Sequence, residues 1–303
     1  MLNTTALTIA TFRNDEAVAD LLEVVCRGGE SPFHRVIVVD SLGTGEVEEL
    51  VKRRRWRGVD YVNSATNLGS AGNLRRRLEL AAAAGADYAY AINHDGQVDL
   101  ELVAELVSCA ETIENLGAAY PLHFYSNRDS YDQTGTSSLP LPFLGRGERE
   151  KSRLTDVTWS SSNGALYAME PVRRGLLPDD GLWMGWEDMA YGWELAKNGY
   201  RQVLVNDTVF DDDYEYRRVD ILGRALYLTD KPAWYTYYQI RNLLLIADRN
   251  KSPAAAYATV AGRILIELGL TTAFRPQKLT RYRYLAAGLL DGLRGRQGRW
   301  VVP

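Results

Sequence analysis

The chain has 303 residues, 46% of them hydrophobic and 24% charged, which is enough to bury a substantial core and excludes a disordered polymer. Its formal charge is −4, yet from Arg275 onward seven basic residues meet the single acid Asp291. A basic tail on an acidic body suits an anionic membrane surface better than sequence-specific nucleic-acid binding, unless it is simply a solvated helix face.

Ala6 to Phe12 reads as a β-branched first strand, ended by Arg13-Asn14-Asp15. Val18, Leu21, Leu22 and Val25 then recur at helical spacing, predicting a helix over 16–26. Arg35–Asp40 is a second buried strand with an acid at its carboxyl end, and the turn Ser41–Gly45 leads into a helix through Lys52. A third strand is expected over Gly58–Asn63. The glycine-rich loop Asn67–Asn73 (NLGSAGN) opens a helix through Ala84. Tyr88–Ile92 is a fourth strand that stops at Asn93-His94-Asp95, before a helical pattern from Leu100. This alternation predicts an α/β domain with a nucleotide-binding type of first half. Gly43-x-Gly45 follows the second strand instead of the first and lacks the third glycine, so it is rejected as a dinucleotide motif.

Ala118–Leu122 is expected to be another strand. Ser126 to Arg153, rich in Ser, Gly, Pro and charge, has the length and composition of a lid or binding segment. Val157–Ala168 reads as a strand whose small central residues would let a ligand approach the backbone. Gln202–Phe210 is a strand ending in Asp211-Asp212-Asp213, which is either part of a cation site or simply solvated, and Trp234–Ile246 begins an aromatic helix. Cys26 and Cys109 lack metal-ligand spacing and read as core thiols of a reducing compartment. The longest apolar stretch, Ala254–Leu270, is interrupted by Arg263 and Glu267, and no signal peptide opens the chain, so a cytoplasmic protein is expected.

Two places invite chemistry. Asp95 ends a central strand at the sheet edge where open α/β folds bind ligands, placed for a divalent metal or a ribose with Asn93 and His94 beside it. A plain strand-to-helix turn would also favour Asp and Gly there. Further on, Trp183, Trp186 and Trp193 flank the adjacent acids Glu187 and Asp188. A carboxylate walled by aromatic rings can be raised in pKa and serve as a general base, and such rings stack on sugars. The same residues would equally make a core, with the acids at a helix N-terminus where its dipole favours them.

Taken in order, these segments resemble the inverting glycosyltransferases of family 2, over roughly residues 6–250. The resemblance rests on Asp40 at the end of the second strand, the Asn67–Asn73 loop, Asn93-His94-Asp95, Glu187-Asp188, Tyr237–Asn242 (YYQIRN) and Gly288–Gly295 (GLLDGLRG). The last two look like the rhamnosyl- and galactofuranosyltransferase branch. It implies a GT-A fold: a catalytic domain over 1–230, with a nucleotide-sugar half (1–116) and an acceptor half (117–230), and a helical extension over 231–303. It also implies transfer from a nucleoside diphosphate sugar, of the dTDP-rhamnose or UDP-sugar type, to a saccharide, lipid-linked or small-molecule acceptor. Thr11, Phe12, Arg13, Asp40, Asn67, Gly72, Asn93, His94 and Asp95 would hold the donor, Asp95 and Asp211 would hold Mn²⁺ or Mg²⁺, and Asp188, with Glu187 beside it, would take the acceptor proton. Trp159, Trp183 and Trp186 would wall the acceptor, and the C-terminal helices would meet either a membrane or a second copy of the chain. The chain departs from the family at Asn93, Ala190 and Glu194, and Asp211 stands where a metal-binding His is usual. Those departures keep open a degenerate scaffold that binds nucleotide or membrane without transfer. A nucleotidyltransferase would need a basic glycine-rich loop after the first strand, which Arg13-Asn14-Asp15-Glu16 does not supply.

Overall fold

The computed structural model describes residues 4–125, 130–132, 152–212, 216–221, 224–249 and 253–301. In chain order the first half runs β1 (Thr5–Thr11), α1 (Asp15–Val25), β2 (Arg35–Ser41), α2 (Glu46–Arg54), β3 (Val59–Ser64), α3 (Gly69–Ala83), β4 (Tyr88–Asn93) and α4 (Leu100–Ala110). The second half runs β5 (Leu116–Tyr125), β6 (Ser130–Asp132), β7 (Leu154–Asp156), β8 (Ala165–Ala168), α5 (Met169–Arg173), a 3₁₀ turn (Asp180–Leu182), α6 (Glu187–Lys197) and β9 (Arg201–Asp211). The hairpin β10 (Tyr216–Ile221) and β11 (Arg224–Thr229) follows, then α7 (Tyr235–Arg249), α8 (Pro253–Ala273) and α9 (Lys278–Leu293).

Nine strands form one mixed sheet along the path β3-β2-β1-β4-β8-β5-β9-β7, with β6 added beside β5. The first four are parallel, and β8 runs antiparallel to both β4 and β5. Because helices cover both faces, the parallel strands read as nearly continuous apolar runs. Alternate residues then serve alternate layers. Leu7, Ile9, Val36 and Val38 pack with Val18 and Leu22 of α1 and Leu102 and Leu106 of α4. Ala6, Ile37, Val39 and Ala89 pack with Leu74 and Leu78 of α3 and Tyr191 and Leu195 of α6. The chain changes faces between α2 and α3, so the strand order reverses beside β1, the crevice where open sheets take ligands. Register sets that crevice out: Thr11 pairs with Asp40, Ala10 with Asn93, and Asp40 with Asn63.

One expected strand is shortened and one hairpin is added. Only Ala165–Ala168 of the expected 157–168 strand is a strand; the Ser-rich stretch before it is a loop, held by Gly164 N–H donating to Ala91 O (2.8 Å) and Asn163 N–H to Ser161 Oγ (3.2 Å). Side-chain hydrogen bonding by Ser and Asn competes with the strand ladder and wins. Tyr216–Thr229, passed over in the sequence, pairs as an antiparallel hairpin. Most of the expected lid over 126–153 lies outside the described residues.

The basic tail also turns partly inward. Arg275 and Arg281 are 6% and 3% exposed. Arg275 pairs with the buried Glu267, which also stands 3.9 Å from Arg263. Arg281 donates to Pro276 O (3.1 Å) and Lys231 O (2.7 Å). The charges that interrupt the apolar stretch of α8 therefore bind its helices together. Among the described residues no helix is long and apolar enough to cross a membrane. Cys26 and Cys109 are both buried free thiols, and burial, aided by Glu23, pushes Cys26 up to about 11.

Candidate functional site

On one side of the crevice stands Asp40, 1% exposed at the end of β2. Its Oδ2 accepts from Tyr61 Oη at 2.8 Å, while its Oδ1 is buried with no hydrogen-bond partner. Burial raises its pKa and the Tyr61 bond opposes that rise. The turn after β2 closes over this pair. A methyl at Gly43 would stand 2.3 Å from Tyr61 Oη and 2.4 Å from Asp40 Oδ2, so a larger residue there would displace the Tyr61–Asp40 pair. Asn63 grips the same turn, accepting from Gly43 N–H (3.1 Å) and donating to Gly43 O (3.0 Å). The glycine rejected as a dinucleotide signature thus has a steric duty beside Asp40. Thr11 is buried at the same level, while Phe12 is 42% exposed with the Arg13 guanidinium 5.2 Å from its ring centroid.

The Asn67–Asn73 loop joins the two halves of the site. Asn67 Oδ1 accepts from Gly69 N–H (2.9 Å), and Asn67 O accepts from the Trp183 indole (3.2 Å). Ala71 N–H donates to Trp183 O at 3.1 Å. Gly69 has φ +67° and comes so close that a Cβ would lie 2.1 Å from Trp183 O. Gly72 is buried in the first turn of α3, and Asn73 Nδ2 reaches Val39 O at 2.8 Å. Arg77, one turn further and 3% exposed, donates to Thr8 O (3.1 Å) and Ile92 O (3.0 Å), bridging β1 and β4. Nothing in its sequence context marks Arg77 out.

At the end of β4, Asn93 and Asp95 are exposed and His94 is half-buried. Asn93 N–H is held by Asn163 Oδ1 (2.9 Å), and His94 N–H donates to Ala10 O (2.9 Å). Asp211 is exposed at the end of β9. Its neighbour Asp212 faces inward, with Oδ2 3.1 Å from Nδ1 of the buried His123. The charges of Asp212, Asp95 and Glu187 all act on Lys231. Among the described residues no group of three or more His, Cys, Asp or Glu side chains could hold a metal ion. The acid that shares a charged neighbourhood with Asp95 is Asp212.

Across the crevice, α6 begins with the acid pair. Trp183 and Trp186 both sit at positive φ (58° and 67°), an uncommon backbone for such bulk. What holds it is α7. Asn242, fully buried, reaches Leu182 O (3.0 Å), Met184 O (2.9 Å) and Gly185 O (2.7 Å), and its Oδ1 accepts from Arg241 Nε and Nη2. Arg241, also fully buried, donates to Leu182 O (2.7 Å) and Gly298 O. The sequence signal for this clamp was the YYQIRN segment, but not its purpose.

Glu187 is 7% exposed, and burial raises its pKa against Ser70, nearby backbone groups and Lys231. Asp188 is partly exposed, yet its Oδ1 is buried without a hydrogen-bond partner. Burial and then the charge of Glu187 push Asp188 up to about 7, with Ser162 and Arg77 opposing. A carboxyl in that state takes up a proton near neutral pH.

The tryptophans mostly face the protein. Trp183 is 3% exposed and lies against Tyr238, Trp234 and Arg299, so its ring is not open to an acceptor and the expected role is corrected. Trp186 donates to Gln239 O (3.1 Å), meets Trp159 edge-on at 6.5 Å and carries Arg263 at 5.8 Å. Trp159 and Trp186 stay partly exposed. They crowd the segment because they dock α6 onto α7.

No family model matches the chain. The galactofuranosyltransferase GlfT1 of Mycolicibacterium smegmatis is 30% identical over 206 residues, 63% of this chain and 65% of that protein. The match thus spans less than two thirds of that relative's length. Among solved structures, S. aureus TarS 1-349 in complex with UDP-GlcNAc superposes with a TM-score of 0.59 at 13% identity, covering 96% of this chain and 81% of that one. The mannosyltransferase PcManGT from Pyrobaculum calidifontis, in complex with GDP-Man and Mn²⁺, gives a TM-score of 0.56 at 15% identity, covering 96% and 87%. At such identities the likeness speaks for the fold, and the fold is the expected one. The chain has the GT-A fold, a mixed α/β sheet flanked by helices.

Proposed function

We propose that this chain is an inverting glycosyltransferase that moves a sugar from a nucleoside diphosphate sugar to an acceptor hydroxyl, with Asp188 as general base. The observation that carries the reading is Asp188 itself: a partly exposed carboxyl beside Glu187, raised to about 7. A general base works best with a pKa near the working pH, and burial beside a second acid is how a carboxylate gets there. Asp188 takes the acceptor proton as the acceptor oxygen attacks the anomeric carbon, and one in-line displacement inverts that centre. Glu187 keeps the Asp188 pKa high by like-charge repulsion.

The unpartnered Asp40 Oδ1 can accept from a base N–H such as the imide of uracil or thymine, which is compatible with a donor of the UDP or dTDP type. The relative's name favours galactofuranose over rhamnose as the sugar. Replacing Asp188 with Asn should lower transfer by about 10²–10⁴-fold while leaving nucleotide binding intact. Transfer by Asp188→Asn at near the original rate would refute the assignment.

A further inference from the structure

Lys231 enters the site from the segment between β11 and α7. Its carbonyl is fixed by Arg281 Nη2 (2.7 Å), and its Nζ lies 5.5 Å from the Tyr235 ring centroid. The hydroxyl end of Tyr235 reaches Gly185, where a Cβ would meet Tyr235 Oη at 3.1 Å, two residues before Glu187. The ammonium is thus tethered beside the start of α6. Three carboxylates from separate elements act on it: Glu187 at the start of α6, Asp212 after β9 and Asp95 after β4. Asp212 is oriented by His123, itself 2% exposed.

This arrangement bears on the diphosphate, and the inference rests on the transferase reading above. Donor cleavage leaves negative charge on a diphosphate, and a site that meets it with carboxylates alone would repel it. We propose that Lys231 is the fixed cation of the donor site, its ammonium binding the diphosphate of the nucleotide sugar and stabilising it as it departs. In the step, the acceptor oxygen forms its bond to the anomeric carbon. The bond from that carbon to the diphosphate oxygen breaks, its electron pair going to the diphosphate. The acceptor proton passes to Asp188, and Lys231 keeps its protons throughout. Asp95 and Asp212 then serve to hold the ammonium in place between turnovers.

The test is calorimetric titration of the full chain with UDP and dTDP, with ligand-observed NMR for the matching nucleosides, each in chelator and with Mn²⁺. Wild type, Lys231→Gln and Lys231→Arg are compared, with circular dichroism melting to confirm folding. In chelator the wild type should bind one diphosphate, Lys231→Gln should weaken it tenfold or more, and Lys231→Arg should stay within a few-fold. Nucleoside binding should be unchanged in all three. Equal diphosphate affinity in Lys231→Gln and wild type, or diphosphate binding seen only with Mn²⁺ and indifferent to Lys231, would overturn the proposal. Should Lys231→Gln fail to fold, the Mn²⁺ dependence of the wild type together with Lys231→Arg decides the matter by the same criteria. If wild type takes up neither nucleoside nor diphosphate, the transferase reading itself falls, and Lys231 with it.

Discussion

At the scale of single residues, the site is governed by what burial does to two acids. Asp188 has its pKa raised in the fold, above the ordinary carboxylate value it would have unfolded, so between roughly pH 4 and about 7 the folded chain binds the extra proton. Stability from that proton is full below the unfolded value and is lost as pH rises through about 7. Asp188→Asn, which cannot ionise, should therefore melt at a higher temperature than wild type at pH 8, with the gap closing by pH 5; a gap that grew toward acid would show that Asp188 is not desolvated. The same carboxyl sets an activity limb. Transfer rate should rise with pH through an inflection near 7, as a coupled property of the Glu187–Asp188 pair, and Glu187→Gln should move the inflection toward acid. Both acids were legible in the sequence as a pair beside aromatics. The groups that oppose their raised pKa values were not, because Ser162, Arg77 and Lys231 come from three distant segments.

At the scale of elements, the order of strands and helices in the first half was readable because buried parallel strands and amphipathic helices differ so plainly in apolar spacing. The loop before β8 was misread as strand, since small residues alone do not tell a ligand-approached strand from a Ser and Asn turn. The burial of Trp183 was hidden for a related reason. An aromatic-rich segment looks the same whether its rings meet sugar or a neighbouring helix, and Trp186 lies 53 residues from its partner Gln239 on α7. The clamp from α7 has a measurable consequence. Asn242→Ala strips this partner from the carbonyls of Met184 and Gly185, while Leu182 O keeps Arg241, and the two lost bonds should cost about 2 kcal/mol together. Chemical denaturation should register that loss, and transfer should fall more than nucleotide affinity, because the clamp serves α6 and not the Asp40 side. A Gly69→Ala chain should be destabilised by about 2 kcal/mol or more, combining positive φ with the close Trp183 carbonyl.

At the scale of the whole molecule, α7 and α9 are woven into the segment around the start of α6. Leu182 and Met189 share one apolar cluster with Ile240, Leu243 and Leu285, and Trp183 shares another with Tyr237 and Tyr238. We therefore expect a chain ending at residue 230 to lose the single cooperative unfolding transition of the full chain, even though its sheet is complete. A truncated chain that melted as sharply as the full one would make the C-terminal helices a separable extension. The membrane and self-association readings of the tail now rest on fewer charges, since Arg275 and Arg281 are spent inside.

The central claim is that the crevice beside Asp40 takes a nucleoside diphosphate. Its most direct test is the melting temperature of wild type and Asp40→Ala with UDP, dTDP and GDP. At a hundredfold excess over Kd, UDP or dTDP should raise the wild-type melting temperature by on the order of 5 °C, with GDP giving less and Asp40→Ala losing the shift. An equal rise in Asp40→Ala, or no rise with any of the three, would contradict the account.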